Sequence, residues 1–232
     1  YLRYQLLKDS NFSGSIALTV TATASENATT ANASSTLNVT VLGVADAPNL
    51  TVAPATGPED TAIALSIAPS LADTDGSETL GIRITGVPSG ASLSAGTLNG
   101  DGSWSLIAAQ LTGLMLTPPS NFSGAIALTV TVTASENATT ASTSSTLNVT
   151  VLGVADAPTL SLAAASGLED TAVPLSISAA LSDTDGSETL SITITGVPSG
   201  SSLSAGIHNP DGSWSLTPAQ LSGLTFTPPS NW

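Results

Sequence analysis

Apolar residues recur at every second position through much of this chain. In "AIALTVTVTA" (125–134), Ile126, Leu128, Val130 and Val132 share one side, and alanine or threonine fills the other. That is the period of a half-buried strand, not the 3.6 of a helix. "STLNVTV" (145–151) repeats the pattern with Leu147, Val149 and Val151, and "LGIRITGV" (80–87) with Leu80, Ile82 and Ile84. Shorter runs follow at "AIALSI" (62–67), "ASLSA" (91–95), "SWSLI" (103–107) and "GLMLTP" (113–118). Turn formers in "GVPSG", "NGDGS" and "TPPSN" separate them. Short strands punctuated this often predict an antiparallel β-sandwich of immunoglobulin-like architecture. No stretch predicts a long helix; "TPAQLSG" (217–223) predicts a single turn.

The pattern is itself repeated. "NFSG" stands at 11–14 and 121–124, "VLGVADAP" at 41–48 and 151–158, and "GVPSG" at 86–90 and 196–200, each pair 110 residues apart. Near-identity at that spacing means tandem copies of an independent domain, since solenoid repeats are much shorter. The expected organisation is the C-terminal part of one sandwich (1–46), a complete sandwich (47–156) and the N-terminal part of the next (157–232). The fold class is therefore all-β, as tandem immunoglobulin-like or cadherin-like β-sandwich modules.

Composition narrows the function. The 232 residues carry 17 acidic and 3 basic side chains, a formal charge of −14. Nucleic acid and anionic membrane surfaces are not expected as partners, because the lysines and arginines that would meet phosphate are scarce. There is no cysteine, which removes disulfides, thiol catalysis and sulfur-ligated metals. No apolar run reaches the roughly 18–20 residues of a membrane span. No serine stands with a recurring histidine, so an enzyme is not expected. Trp104 and Trp214 are expected to close one end of the sandwich, Met115 to fill a core gap, and His208 to be a surface replacement for Leu98 of the other copy. Arg3, Lys8 and Arg83 read as isolated charges. "NFS", "NAT", "NAS" and "NVT" match the N-glycosylation acceptor pattern, which arises often by chance in a chain so rich in serine and threonine.

The acids, in contrast, are clustered. "DTDGSE" supplies Asp73, Asp75 and Glu78, "GPEDT" supplies Glu59 and Asp60, and the linker "ADAP" supplies Asp46. The second copy repeats them as Asp183, Asp185, Glu188, Glu169, Asp170 and Asp156. Loops joining neighbouring strands alternate between the ends of a sandwich, so the 73–78 loop and the linker acid can share one end. Two carboxylates ~4 Å apart repel by roughly 4 kcal/mol at an intermediate effective dielectric. Calcium resolves such a cluster, because it takes 6–8 oxygen ligands, several of them carboxylates. Magnesium prefers a tight octahedron and retains water, and without histidine or cysteine zinc and copper are not indicated. The spacing is not that of an EF-hand.

"DTDGSETLSITITGVPSG", "DGSWSLTPAQLSGLTFTPPSN" and "STLNVTVLGVADAP" together resemble the extender modules of large bacterial RTX-type repeat adhesins, across essentially the whole chain. The resemblance implies cadherin-like or immunoglobulin-like beads, an extracellular bacterial-surface location and Ca2+ at the bead junctions. It implies Asp46, Asp73, Asp75, Asp156, Asp183 and Asp185 as ligands, with Glu59, Asp60, Glu78, Glu169, Asp170 and Glu188 beside them. Glu26 and Glu136, in "TASENATT", either contribute from the preceding bead or are simply solvated. The expected function is a calcium-stiffened structural spacer supporting cell adhesion or biofilm attachment. The expected partners are neighbouring repeats of the same or adjacent chains. The alternative is a subunit of an extracellular filament, a homopolymer in which residues 157–232 of one chain and 1–46 of the next complete a sandwich by strand complementation.

Overall fold

The computed structural model describes residues 11–230, so Arg3 and Lys8 lie outside the described residues. These residues form two compact units, 11–120 with 124–151, and 121–123 with 152–230.

The first unit begins with a long hairpin, β1 (Gly14–Glu26) and β2 (Thr29–Val41). The sandwich follows as β3 (Asn49–Ala53), β4 (Ala55–Pro58), β5 (Ile63–Ala64), β6 (Ser66–Ser70) and β7 (Thr79–Thr85). Then come β8 (Ser92–Leu93), β9 (Thr97–Leu98), β10 (Trp104–Ile107), a 3-10 turn at Ala108–Leu111, and β11 (Met115–Thr117). A second long hairpin, β12 (Gly124–Glu136) and β13 (Thr139–Leu152), completes it. One layer has the order β4-β13-β12-β7-β10-β9; the other is made of β3-β6 and β5-β11-β8. The two pieces of the second layer are stitched at Leu65, whose N–H donates to the Leu114 carbonyl at 2.9 Å.

Alternation decides what the layers bury. Ile126, Leu128, Val130 and Val132 of β12, Leu147, Val149 and Val151 of β13, and Ile82 and Ile84 of β7 point inward. Ile63, Leu65, Ile67, Leu93, Leu114 and Leu116 bury themselves from the other layer. Each side chain of this size contributes about 1.5–3 kcal/mol when fully buried. Met115 is half-buried, on the opposite side of its strand from Leu114 and Leu116. The core is therefore filled by the two leucines, and Met115 is not the gap-filler its sequence position suggests.

Strand registers fix which loops share an end. Asn49 lies opposite Ser70, and Thr79 lies opposite Ser135. The linker into β3, the 71–78 loop and the 136–139 hairpin tip therefore gather at one end. The turn between β4 and β5, at 58–62, lies at the other. The hairpin tip holds the linker: Ala45 N–H donates to Thr139 Oγ1 at 2.8 Å, and Asn137 Nδ2 to the Gly43 carbonyl at 3.1 Å. Thr143 Oγ1 donates to the Pro48 carbonyl at 2.6 Å.

The second unit repeats these pairings with β14 (Thr159–Ala163), β15 (Val173–Pro174), β16 (Ser176–Ala180), β17 (Ile192–Ile194) and β18 (Ser202–Leu203). β19 (Ile207–His208), β20 (Trp214–Leu216) and β21 (Thr225–Thr227) follow, with a 3-10 turn at Pro218–Leu221 where the sequence predicts one. Leu203, Leu216, Leu221 and Leu224 form its core, with Leu175, Ile177, Ile192 and Phe226 packed around them. Trp104 and Trp214 are half-buried, and the exposed His208 stacks on Trp214 with ring centroids 5.1 Å apart.

Candidate cation site at the module end

The 73–78 loop is built by its own acids. Asp73 Oδ1 accepts the Asp75 N–H at 2.9 Å, and Asp75 Oδ1 accepts the Ser77 N–H at 2.8 Å and the Ser77 hydroxyl. Gly76, at φ +89°, makes the reversal between them in a conformation that costs other residues steric strain. Asp75 Oδ2 accepts from Ser13 Oγ at 3.1 Å. The carboxyl of Asp75 is held below its ordinary value, first by the Ser77 hydroxyl and backbone, then by Ser13. Hydrogen bonds to the charged form favour it.

Glu78 turns toward the linker. Its Oε1 accepts the Asp46 N–H at 2.6 Å, and Asp46 Oδ2 accepts from Asn11 Nδ2 at 3.2 Å. The same device recurs in the second unit. Asp183 Oδ1 accepts the Asp185 N–H at 2.8 Å, Glu188 Oε1 accepts the Asp156 N–H, and Asn121 Nδ2 donates to Asp156 Oδ2 at 3.2 Å. Ser123 donates both its N–H and its hydroxyl to Asp185 Oδ2, at 2.8 and 2.7 Å. Together with the Ser187 hydroxyl, these bonds hold Asp185 well below the usual carboxylate range.

Asp46, Asp73, Asp75 and Glu78 are thus brought to one end of the first unit, and Asp156, Asp183, Asp185 and Glu188 form the matching set in the second. Glu59 and Asp60 are not part of the first set, because they sit on the far turn, where Asp60 has φ +54°. Glu169 and Asp170 occupy the equivalent turn of the second unit and are exposed. Glu136, on the complete module, lies at the end where that module's own linker arrives, beside Asp46 and Asp73, and is nearly buried at 5% exposure. Glu26, its copy on β1, is exposed. The sequence reading passed over Asn11, Ser13, Asn121 and Ser123 as partners of the acids; their signal was the repeated "NFSG".

The electrostatics are unusual for a surface loop. Asp73 is 5% exposed, Glu78 7% and Asp183 1%. Oε2 of Glu78 and of Glu188 is buried without a hydrogen-bond partner. Arg83, the one lysine or arginine among the described residues, pairs with Asp101 beyond the far end of β7. Every donor at this end is oxygen, the set that suits a hard cation. No three of Asp46, Asp73, Asp75, Glu78 and Glu136 bring oxygens within 4.8 Å of one another. Asp46, Asp73 and Glu136, with Asn11 and the linker at Val41–Val44, line a cavity of about 230 Å³. Acids spaced this widely do not supply three direct ligands to one ion, so the cation they suit is one that keeps part of its water shell.

Fold and site together define a class: an immunoglobulin-like sandwich module with an acidic clasp where the linker arrives. Residues 45–150 match the family model described as a bacterial Ig domain, which supports an Ig-like repeat module of surface-associated, structural type. No curated protein matches the chain. Among solved structures, an endo-fucoidan hydrolase from glycoside hydrolase family 107 is similar at 16% identity, with 94% of this chain and 30% of that chain covered. Its TM-score is 0.25, which carries no argument about activity. The Ig-like family is typically non-catalytic. No helix among the described residues is long and apolar enough to cross a membrane.

Proposed function

We propose that the chain is a spacer segment of a bacterial cell-surface adhesin of the RTX type, extracellular, with Ca2+ stiffening each module junction. One observation carries this reading: buried carboxylates meet the linker, in both units, with no basic side chain among the described residues to balance them. A buried charge left uncompensated is strongly unfavourable. A cation beside Asp46, Asp73 and Glu78, and beside Asp156, Asp183 and Glu188 in the next copy, reaching part of each set through water, supplies the balance. Glu78 and Glu188 already grip the linker backbone through one oxygen, and the other is left for a ligand. The group's chemistry is electrostatic: it neutralises the acids and fixes the linker against the module. The protein side of the device consists of the Asx-type turns that aim the acids and the Asn11 and Ser13 contacts from the preceding segment.

The test is calorimetric melting and small-angle scattering of the 232-residue chain in millimolar Ca2+ and in EGTA. A ligand present at a hundred times its Kd stabilises the ordered form by about 2.7 kcal/mol. Chelation should lower the melting temperature and shorten the mean end-to-end distance, and re-addition should restore both. Identical melting curves and scattering profiles in the two buffers would falsify the reading.

A second reading, assembly into a filament, is favoured by the β1–β2 hairpin. Leu18, Val20, Leu37 and Val39 expose on it the face that β12–β13 buries. The occupant that fits is a second copy of the chain, presenting strands like β3-β6 and β5-β11-β8, which cover the matching face in the complete module. Sedimentation should then reveal end-to-end oligomers growing with concentration; a strictly monomeric chain at high concentration rules the filament out.

A further inference from the structure

The turn "NGDGS" (99–103) joins β9 to β10, and "NPDGS" (209–213) joins β19 to β20. The two turns share their hydrogen bonds. Asn99 N–H donates to the Ser103 carbonyl at 2.8 Å, and the Asn99 carbonyl accepts the Gly102 N–H at 3.0 Å; Asn209, Ser213 and Gly212 repeat both distances. Asn99 Nδ2 donates to Ser103 Oγ at 3.0 Å and to Ser105 Oγ at 2.9 Å. Asn209 Nδ2 does the same to Ser213 Oγ at 2.9 Å and Ser215 Oγ at 2.8 Å. What differs is the residue after the asparagine. Gly100 is exposed at the tip, and no hydrogen bond among the described residues engages its N–H. An added Cβ there would meet nothing within 4 Å. Pro210 has no N–H at all.

We infer that Asn99 is a site of spontaneous deamidation, with water as the co-reactant, and that Asn209 is protected from it. The Gly100 nitrogen gives up its proton and attacks Asn99 Cγ; the bond from Cγ to Nδ2 breaks, and ammonia leaves with that proton. Water then opens the cyclic imide at one carbonyl to give aspartate, or at the other to give isoaspartate. No electrons change hands. Glycine suits the ring closure because, without Cβ, its backbone turns freely. Proline has no proton to release, so the imide does not close at Asn209. The product also disturbs the turn. An ionised carboxylate only accepts, so the bonds to Ser103 and Ser105 are lost. Its charge joins that of Asp101, which already accepts from Ser103 and pairs with Arg83. Isoaspartate further lengthens the main chain beside the Ser105–Thr97 pairing. The hairpin of the first unit thereby ages, and its copy in the second does not.

The experiment is incubation of the whole chain in warm, mildly alkaline buffer, followed by ion exchange and peptide mass spectrometry. The variants are Gly100→Pro, Pro210→Gly and Ser105→Ala, with circular dichroism to compare folding. The parent should gain one negative charge as aspartate and isoaspartate accumulate at position 99, faster as the pH rises, while Asn209 keeps its amide. Gly100→Pro should abolish the conversion, and it should fold, because the second unit carries proline at the same point of the same turn. Pro210→Gly should open the second turn to the reaction. Ser105→Ala removes one of the bonds that hold the amide and should speed conversion at Asn99. An Asn99 that stays intact in the folded parent while converting in urea overturns the inference. So does conversion that persists in Gly100→Pro, or that proceeds equally at Asn209 of the parent. Should Gly100→Pro fail to fold, Pro210→Gly decides, with an unreactive Asn209 counting against the mechanism.

Discussion

Leu128→Ala should lower the unfolding free energy by about 2–5 kcal/mol, while Leu18→Ala, the same position one repeat earlier, should change it by less than ~1 kcal/mol. Both leucines sit in near-identical hairpins with identical register, paired with Leu147 and Leu37 respectively. Leu128 is fully buried between the layers, whereas Leu18 is 42% exposed. Truncating Leu128 removes transfer free energy and leaves a cavity that the rigid sheet cannot close. Truncating Leu18 removes area already facing water. Urea unfolding of the two variants against the parent measures the difference. Equal losses would mean that the β1–β2 face is covered in solution, the outcome the filament reading requires, and dilution would then separate the two cases.

Asp73→Asn should change stability in opposite directions with and without calcium. Asparagine keeps an oxygen where Asp73 Oδ1 accepts the Asp75 N–H at 2.9 Å, so the loop retains its turn. In EGTA the substitution removes a buried negative charge from an acidic neighbourhood that has no basic partner among the described residues, and the melting temperature should rise. In saturating Ca2+ it removes a ligand, and up to about 2.7 kcal/mol of linkage stabilisation is lost at concentrations near a hundred times the parent's Kd. Crossing of the parent and mutant melting temperatures as free calcium is raised is the expected result. A shift of one sign in both buffers would mean that Asp73 serves the loop alone and takes no part in holding a cation.

Much of the site was legible because the chain prints it twice. Asp73, Asp75 and Glu78 stand out by spacing, and the linker acid Asp46 by its recurrence as Asp156. Glu59 and Asp60 lie a strand reversal away from them in the first unit. Only one strand course, β3 and β4, separates the linker from the 58–62 turn, which puts those acids at the opposite end. Asn11 and Ser13 were harder to see, since a hydroxyl or amide donor in a loop looks like any polar residue until its acceptor is located. Glu136 is the most instructive case. Its place in the even-numbered series of β12 is plain in the sequence, yet alternation alone does not distinguish a buried acid at a strand end from a solvated one.

The sequence by itself determined the strands, their inward faces, the 110-residue period and the two acidic loops, because these depend on local periodicity and turn chemistry. Tertiary structure alone decided which faces are dry and which carboxylates meet. Leu18 and Leu128, or Glu26 and Glu136, occupy matching positions in matching hairpins and differ only in what lies across from them. Burial is a property of two surfaces, and a strand's own residues specify only one.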